Sequence, residues 1–139
     1  MAFLLYSTDD GRVPPIEYLP CSAITPKVGM ALVVSAGNLA VARSVNAPKY
    51  ISLFGAASTL NGGTIIPVMR VGSDMILETT LSAAGTSLNI GDKVTLHATN
   101  GLQVTATTQD SSNNYIGIAE IVAFPDGTKT SGSRVRVRF

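Results

Sequence analysis

Short apolar segments alternate with polar residues along most of the chain, and glycine-containing turns separate them. In KVTLHAT (residues 93–99), apolar side chains occupy every second position, which is the period of a strand with one buried face. The Asn100-Gly101 pair that follows is a strong signal for a tight hairpin turn. No stretch of about a dozen residues keeps a helical period. The pattern predicts an all-β fold, a single small β-barrel or sandwich of about eight to ten short strands.

Two segments allow more specific predictions. YIGIAEIVAF (residues 115–124) is apolar on both faces, which is typical of a strand in the centre of a sheet. In TIIPVMRV, Pro67 lacks the backbone donor that other residues carry, so this strand is expected at a sheet edge or at a bulge. The strand-like segments contain no convincing internal repeat.

The first 28 residues differ from the rest because they are rich in proline, with Pro14, Pro15, Pro20 and Pro26. Proline fixes φ and pushes the residue before it toward an extended conformation. We therefore divide the chain into an extended N-terminal arm at residues 1–28 and a β-barrel domain at residues 29–139. An apolar cluster near the start of the arm is a candidate anchor for a partner: Phe3, Leu4, Leu5 and Tyr6. The alternative is a disordered terminus.

Composition indicates a protein that works through its surface. The 139 residues suffice for one domain. Apolar residues make up 45% of them and charged residues only 14%, and burying part of the surface against partners is one way to tolerate so few charges. A formal net charge of +1 provides no general field that would attract nucleic acid or an anionic membrane.

Candidate chemistry is sparse. Cys21 and His97 are the only cysteine and histidine, so an intrachain disulfide is impossible and the usual zinc ligand set cannot be assembled. The carboxylates are scattered, and no phosphate-cradling loop is present. We expect neither an enzyme nor a bound metal or cofactor. The sequence also lacks a convincing signal peptide and any apolar run of membrane-helix length, which favours a soluble protein made in the cytosol.

The last strand carries the most distinctive charge pattern. Arg134, Arg136 and Arg138 recur with a period of two, so they share one face of the strand. They form either a solvated face or a basic ladder that pairs with carboxylates on a partner subunit. Glu120 lies in phase with apolar neighbours, and we expect it to be buried in an ion pair with Arg70 or with an arginine of the ladder.

Two loops are the expected partner-facing tips, at residues 58–63 and 126–133, because loops on a rigid scaffold commonly carry binding contacts.

The order of these elements resembles that of the head decoration proteins of tailed bacteriophages, also called capsid cement proteins. After the proline-rich arm come VGMALVVSAGNLAVA, PKYISLF, GTIIPVMRVGSDMILET, LNIGDKVTL, NGLQVTA, IGIAEIV and VRVRF. The set covers most of residues 20–139. Each motif alone is little more than a glycine turn or an alternating strand, so the resemblance rests on their order.

The resemblance implies a non-enzymatic structural virion protein. It would bind the capsid exterior, commonly as a homotrimer, and stabilise contacts between major capsid protein subunits after synthesis in the host cytoplasm. Nucleic acid, membranes and small-molecule substrates are not expected partners. The alternatives are another virion β module, such as a head-fibre, tail or baseplate component, and an OB-like single-strand nucleic-acid binder that uses the three arginines with tyrosines.

Overall fold

The computed structural model describes residues 2–107 and 109–139. These residues form eleven strands and include no helix that could cross a membrane. The strands are β1 (Leu4–Thr8), β2 (Ile16–Pro20), β3 (Ala31–Ser35), β4 (Asn38–Val41), β5 (Tyr50–Ser52), β6 (Ile65–Arg70), β7 (Met75–Thr80), β8 (Lys93–Leu96), β9 (Val104–Ala106), β10 (Ala119–Ala123) and β11 (Arg134–Arg138).

The strands assemble into two antiparallel sheets. The six-stranded sheet has the order β1-β7-β11-β10-β8-β9, and the five-stranded sheet has the order β2-β6-β5-β3-β4. The predicted all-β class is confirmed. Of the two architectures that the sequence left open, the sandwich is the one observed, because neither sheet closes into a barrel.

The two sheets have the same strand order once β1 is set aside. The order β7-β11-β10-β8-β9 matches the order β2-β6-β5-β3-β4 strand by strand, so that β7 is equivalent to β2, β11 to β6, β10 to β5, β8 to β3 and β9 to β4. The paired residues correspond as well, since Leu32 lies opposite Val41 in one sheet and Val94 lies opposite Ala106 in the other. We call β2–β6 the first half of the molecule and β7–β11 the second half.

Irregular contacts repeat along with the strand order. Directly after β2, Cys21 forms a parallel bridge with Leu39 of β4, and directly after β7, Leu81 forms a parallel bridge with Val104 of β9. The next residue donates a backbone hydrogen bond of 2.9 Å in both halves, from Ser22 to Leu39 and from Ser82 to Val104. Each bridge therefore connects the outermost strands of one β2-β6-β5-β3-β4 or β7-β11-β10-β8-β9 unit at a single point.

Two glycines complete the correspondence. The Gly63 N–H donates to the Cys21 carbonyl at 2.7 Å, and the Gly132 N–H donates to the Leu81 carbonyl at 2.8 Å. Their φ angles are 88° and 85°, in the left-handed region that favours glycine. Agreement in strand order, register and turn conformation indicates an internal structural duplication, contrary to our expectation of no repeat.

Equivalent core positions hold different apolar residues, which hides the duplication in the sequence. The interior of the first half consists of Cys21, Met30, Leu32, Leu39, Ile66 and Val68. Five of them occupy positions equivalent to core residues of the second half. Cys21 is equivalent to Leu81, Leu32 to Val94, Leu39 to Val104, Ile66 to Val135 and Val68 to Val137. Only hydrophobicity is shared at these positions, so a comparison of residue identities finds little.

The predicted arm is extended, but it belongs to both sheets. Strand β1 pairs with β7, and β2 pairs with β6. Phe3 and Cys21 are buried in two different core clusters. The boundary at residue 28 therefore does not separate an arm from a domain. The prolines are compatible with this arrangement because Pro15 directly precedes the short edge strand β2 and Pro20 is its last residue.

Pro67 is in an interior strand, not at the predicted edge or bulge. Strand β6 lies between β2 and β5, and Pro67 is opposite Tyr18 on one side. On its other side the Pro67 carbonyl accepts a 3.0 Å hydrogen bond from Leu53, which lies just beyond the end of β5. The missing proline donor therefore coincides with the point where pairing between β5 and β6 ends. Strand β10 is an interior strand, as predicted for residues 115–124.

The two halves share one hydrophobic cluster. Ala31, Ile51 and Met69 of the first half pack with the core of the second half, together with Phe3 and Met75. Packing of this kind is the usual way in which two sheets bury their facing sides. The halves are therefore parts of one folding unit.

Gly101 lies at a close approach between the two halves. It does not form the predicted tight hairpin, because residues 97–103 make a longer connection between β8 and β9. Its carbonyl accepts a 2.8 Å hydrogen bond from Ala31, and its φ is 61°. A Cβ atom here would lie 2.9 Å from Val41 Cγ1 and 3.0 Å from the Ala31 carbonyl oxygen.

We predict that Gly101→Ala lowers the free energy of unfolding by about 3 kcal/mol, because backbone strain and a steric clash act together. Gly127→Ala is the matched control, since Gly127 also has a positive φ but faces open space. The control should cost about 1 kcal/mol. Urea unfolding measures both values. Equal losses would contradict the tight contact between the halves.

Candidate partner-binding surfaces

Strands β1 and β11 bring two separately predicted groups onto one surface. Both strands flank β7, and the register places Leu4 opposite Glu78 and Glu78 opposite Arg136. Cross-strand partners share a face of the sheet. The outer face of the six-stranded sheet therefore carries Leu4, Tyr6, Glu78, Arg134, Arg136 and Arg138, which we call the ladder face.

The predicted anchor residues have different environments. Leu4, Leu5 and Tyr6 are 50%, 37% and 52% exposed. Phe3 is buried, and its ring centroid lies 5.7 Å from that of Phe139. The assignment of Phe3 to a partner contact is therefore wrong for this conformation, because its side chain forms part of the core.

Tyr6 links the anchor to the arginines. The Arg136 guanidinium carbon lies 3.6 Å from the centroid of the Tyr6 ring, within the range of a cation–π interaction. This contact holds the aromatic ring against the ladder face. An exposed tyrosine that is fixed in this way presents an apolar surface at low entropic cost.

Carboxylates of the same chain neutralise the ladder. Glu78 lies between two arginines, with its Oε2 2.9 Å from Arg136 Nε and its Oε1 3.5 Å from Arg134 Nη1. Arg138 Nη2 donates to Asp9 at 3.0 Å. The arginines therefore have carboxylate partners within the chain, and their pairing with carboxylates of a partner subunit stays a prediction.

Asp126 fixes the start of β11. It accepts hydrogen bonds from the Arg134 side chain at 2.7 and 2.8 Å and from the Arg134 backbone N–H at 2.9 Å. The side-chain hydrogen bonds, and after them the backbone bond, lower the pKa of Asp126. The side-chain bonds with Asp126 also raise the pKa of Arg134. The predicted partner-facing loop at 126–133 is thereby tied to the ladder at its first residue.

The expected ion pair of Glu120 does not form. Glu120 is exposed, and Arg70 instead donates to Glu17 through two hydrogen bonds of 2.7 and 2.8 Å. Those bonds lower the pKa of Glu17. Arg70 is not available to Glu120 because Glu17 lies on β2, directly beside the strand that carries Arg70.

The structure places His97 in a connection between strands and Cys21 in the core. His97 Nδ1 lies 3.2 Å from the Thr99 backbone nitrogen and so accepts a hydrogen bond within the connection between β8 and β9. Burial raises the pKa of the Cys21 thiol, which keeps it protonated. Within residues 2–107 and 109–139, no group of three or more His, Cys, Asp or Glu residues is placed to hold a metal ion.

A second surface escaped the sequence reasoning. On the outer side of the first half, Ile16, Tyr18 and Ile65 are 56%, 69% and 56% exposed. Pro67 lies opposite Tyr18, and the exposed Leu53 lies beside Pro67. We call Ile16, Tyr18, Leu53, Ile65 and Pro67 the apolar face. The alternation of Ile16 and Tyr18 between prolines was the available signal.

The two faces occupy equivalent places in the duplicated structure. From the register, Tyr18 corresponds to Glu78, Ile65 to Arg134 and Pro67 to Arg136. Where the second half has a charged ladder, the first half therefore has exposed apolar side chains. A solvent-exposed apolar patch of this kind is a typical interaction site.

A scan against protein-family models, a search of curated proteins and a search of solved structures each gave no match.

We predict that Glu78→Gln lowers the free energy of unfolding by about 1–3 kcal/mol, because Arg136 loses its partner while both side chains are largely buried. Asp10→Asn is the control, since the Asp10–Arg12 pair is exposed and its loss should cost under about 0.5 kcal/mol. Urea unfolding compares the two. A Glu78 effect as small as the control would show that the ladder contributes little stability.

The lowered pKa of Asp126 predicts a pH dependence. Because the unfolded chain binds this proton more readily than the folded chain, stability is present above the unfolded pKa of about 4 and falls as pH decreases through the lower folded value. Asp126→Asn should reduce the midpoint of thermal unfolding at pH 7 and flatten its decline between pH 5 and 2. An unchanged decline would exclude Asp126 as a source.

Proposed function

We propose that the protein is a non-enzymatic decoration protein of a tailed-bacteriophage capsid. It binds the outer surface of the assembled shell and stabilises contacts between major capsid protein subunits. The ordered set of sequence motifs supports the family, and the exposed apolar face supports a role in binding another protein. That face is the observation on which the proposal depends most.

The exposed side chains of the apolar face are better suited to contact with another protein than to contact with water. Tyr18, Ile16 and Ile65 are each more than half exposed, and burying them against a partner removes their apolar surface from water. Tyrosine at the centre of such a patch is typical of interface residues that contribute much of the binding energy.

Repetition on a symmetric shell strengthens weak contacts. Many copies bound at equivalent positions gain avidity, so a modest interface per copy suffices for stable attachment. In this proposal the bound form is a homotrimer that bridges neighbouring subunits. The rigid two-sheet scaffold transmits load between those contacts without requiring a catalytic group.

The neutralised ladder disfavours the nucleic-acid alternative. Glu78, Asp126 and Asp9 pair with the three arginines, so few phosphate contacts remain for them. A fluorescence titration with a single-stranded oligonucleotide at low salt tests this alternative, since true binding appears there and weakens steeply with added salt.

We predict that the purified protein binds expanded, undecorated shells assembled from the major capsid protein encoded near its own gene. Electron microscopy of the mixture should show added density that follows the lattice, because each equivalent site offers the same contacts. A globular protein of similar mass serves as the control. Absence of lattice-ordered density at saturating protein would contradict the proposal. Formation of tubes by the protein alone would favour a tail component.

A further inference from the structure

Strand β7 has a neighbour on each side, whereas its counterpart β2 does not. Strand β7 pairs with β11 along one edge and with β1 along the other. Strand β2 pairs with β6 along one edge. Among the described residues, its other edge is met only at its end, through the Cys21–Leu39 bridge and the Ser22 hydrogen bonds. The duplicated structure therefore contains one occupied and one open edge at equivalent positions.

The hydrogen-bonding pattern identifies the open groups. Cys21 exchanges backbone hydrogen bonds with Thr64 and Gly63 on the β6 side. Backbone groups alternate in direction along an antiparallel strand, so Leu19 and Glu17 also face β6. The backbone groups of Tyr18 and Ile16 therefore point toward the open edge, as those of Glu78 and Ile76 point toward β1 in the second half.

Prolines limit the length of this edge. Pro15 and Pro20 have no N–H, so donors for a further strand come from the residues between them. A short edge bounded by prolines resists indefinite strand-to-strand aggregation. It still offers pairing for a short segment, and the apolar face beside it provides additional buried area.

The occupied edge indicates which chemistry fits the open one. Strand β1 has the uncharged sequence LLYST, and its Leu4 and Tyr6 lie over the ladder face. On the first half the corresponding surface is Tyr18, Pro67 and Ile65, which carries no charge. An incoming charged side chain would lose hydration there without gaining a partner. The surface therefore fits an uncharged, extended segment with apolar or aromatic residues at alternate positions.

We propose that the open edge of β2, together with the apolar face, binds such a segment of a capsid shell subunit by antiparallel strand addition, as β1 adds to β7. The inference rests on the proposed function for the identity of the partner. A second copy of this chain is disfavoured as the occupant, because its own strand of this type is engaged at β7 and is anchored by the buried Phe3.

Two substitutions of Tyr18 distinguish the contribution of its side chain to binding from that of its backbone N–H. Tyr18→Ala removes apolar contact, and Tyr18→Pro also removes the N–H that points to the open edge. Neither disturbs the hydrogen bonds to β6, which come from Glu17 and Leu19. We expect shell binding to weaken by about tenfold for Tyr18→Ala, and by about a further fivefold for Tyr18→Pro. Val45→Ala, at another exposed apolar position, is the control and should bind normally.

Hydrogen exchange supplies a direct readout. Backbone amides of Ile16 and Tyr18 should exchange rapidly in the free protein and become protected on shells. Thermal unfolding checks that each Tyr18 variant remains folded. If the wild-type protein binds shells while both variants bind equally well and residues 16–18 gain no protection, the strand-addition proposal is wrong and the decoration function stands.

A peptide probe tests the surface without shells. The synthetic peptide AFLLYST with capped ends, the sequence of residues 2–8, should shift the amide NMR signals of Ile16 and Tyr18 in the wild-type protein and should fail to shift the neighbouring signals in Tyr18→Pro. Absence of these shifts in the wild-type protein would overturn the proposed edge. If shells are not bound but the peptide is, the capsid function fails and the strand-accepting edge remains. Dimerisation through β2, detected by sedimentation, would identify a second copy as the occupant and overturn the proposed partner.

Discussion

Packing between the two halves is the interaction on which the rest of the structure depends. Each half curls around its own apolar residues, but Ala31, Ile51 and Met69 of the first half complete the cluster of the second. The contact is close enough that Gly101 has no room for a side chain. A small sheet with one exposed apolar side is only marginally stable, so the shared core supplies much of the stability. The outer surfaces can therefore include exposed apolar side chains, as on the apolar face.

Duplication gave the molecule two copies of one surface, and the copies differ in character. The ladder face combines ion pairs with a strand from the same chain. The apolar face has the same backbone layout but neither charges nor a covering strand. A buried or semi-buried ion pair contributes mainly when its geometry is satisfied locally, as at Glu78 and Asp126. The charged face is therefore suited to stability, and the uncharged face is suited to association.

Strands could be predicted from the sequence because alternation is a local property, visible in segments such as KVTLHAT. Pairing is not local. Two carboxylate partners of the ladder, Asp9 and Glu78, lie far away in sequence, so the sequence identified the arginines without these partners. The prolines correctly predicted an extended conformation for the first 28 residues. They could not show that these residues form strands of the two sheets, because an edge strand and a separate arm have the same local sequence pattern. Phe3 looked like an exposed anchor because burial depends on Gly29 and Phe139, which only the fold brings near it.

The contact between Phe3 and Phe139 joins the two extremes of the described chain. With their rings 5.7 Å apart, Phe3 and Phe139 connect the start of β1 to the end of β11. Strand β1 has no counterpart in the first half, so this aromatic contact fixes the one unduplicated strand to the shared core.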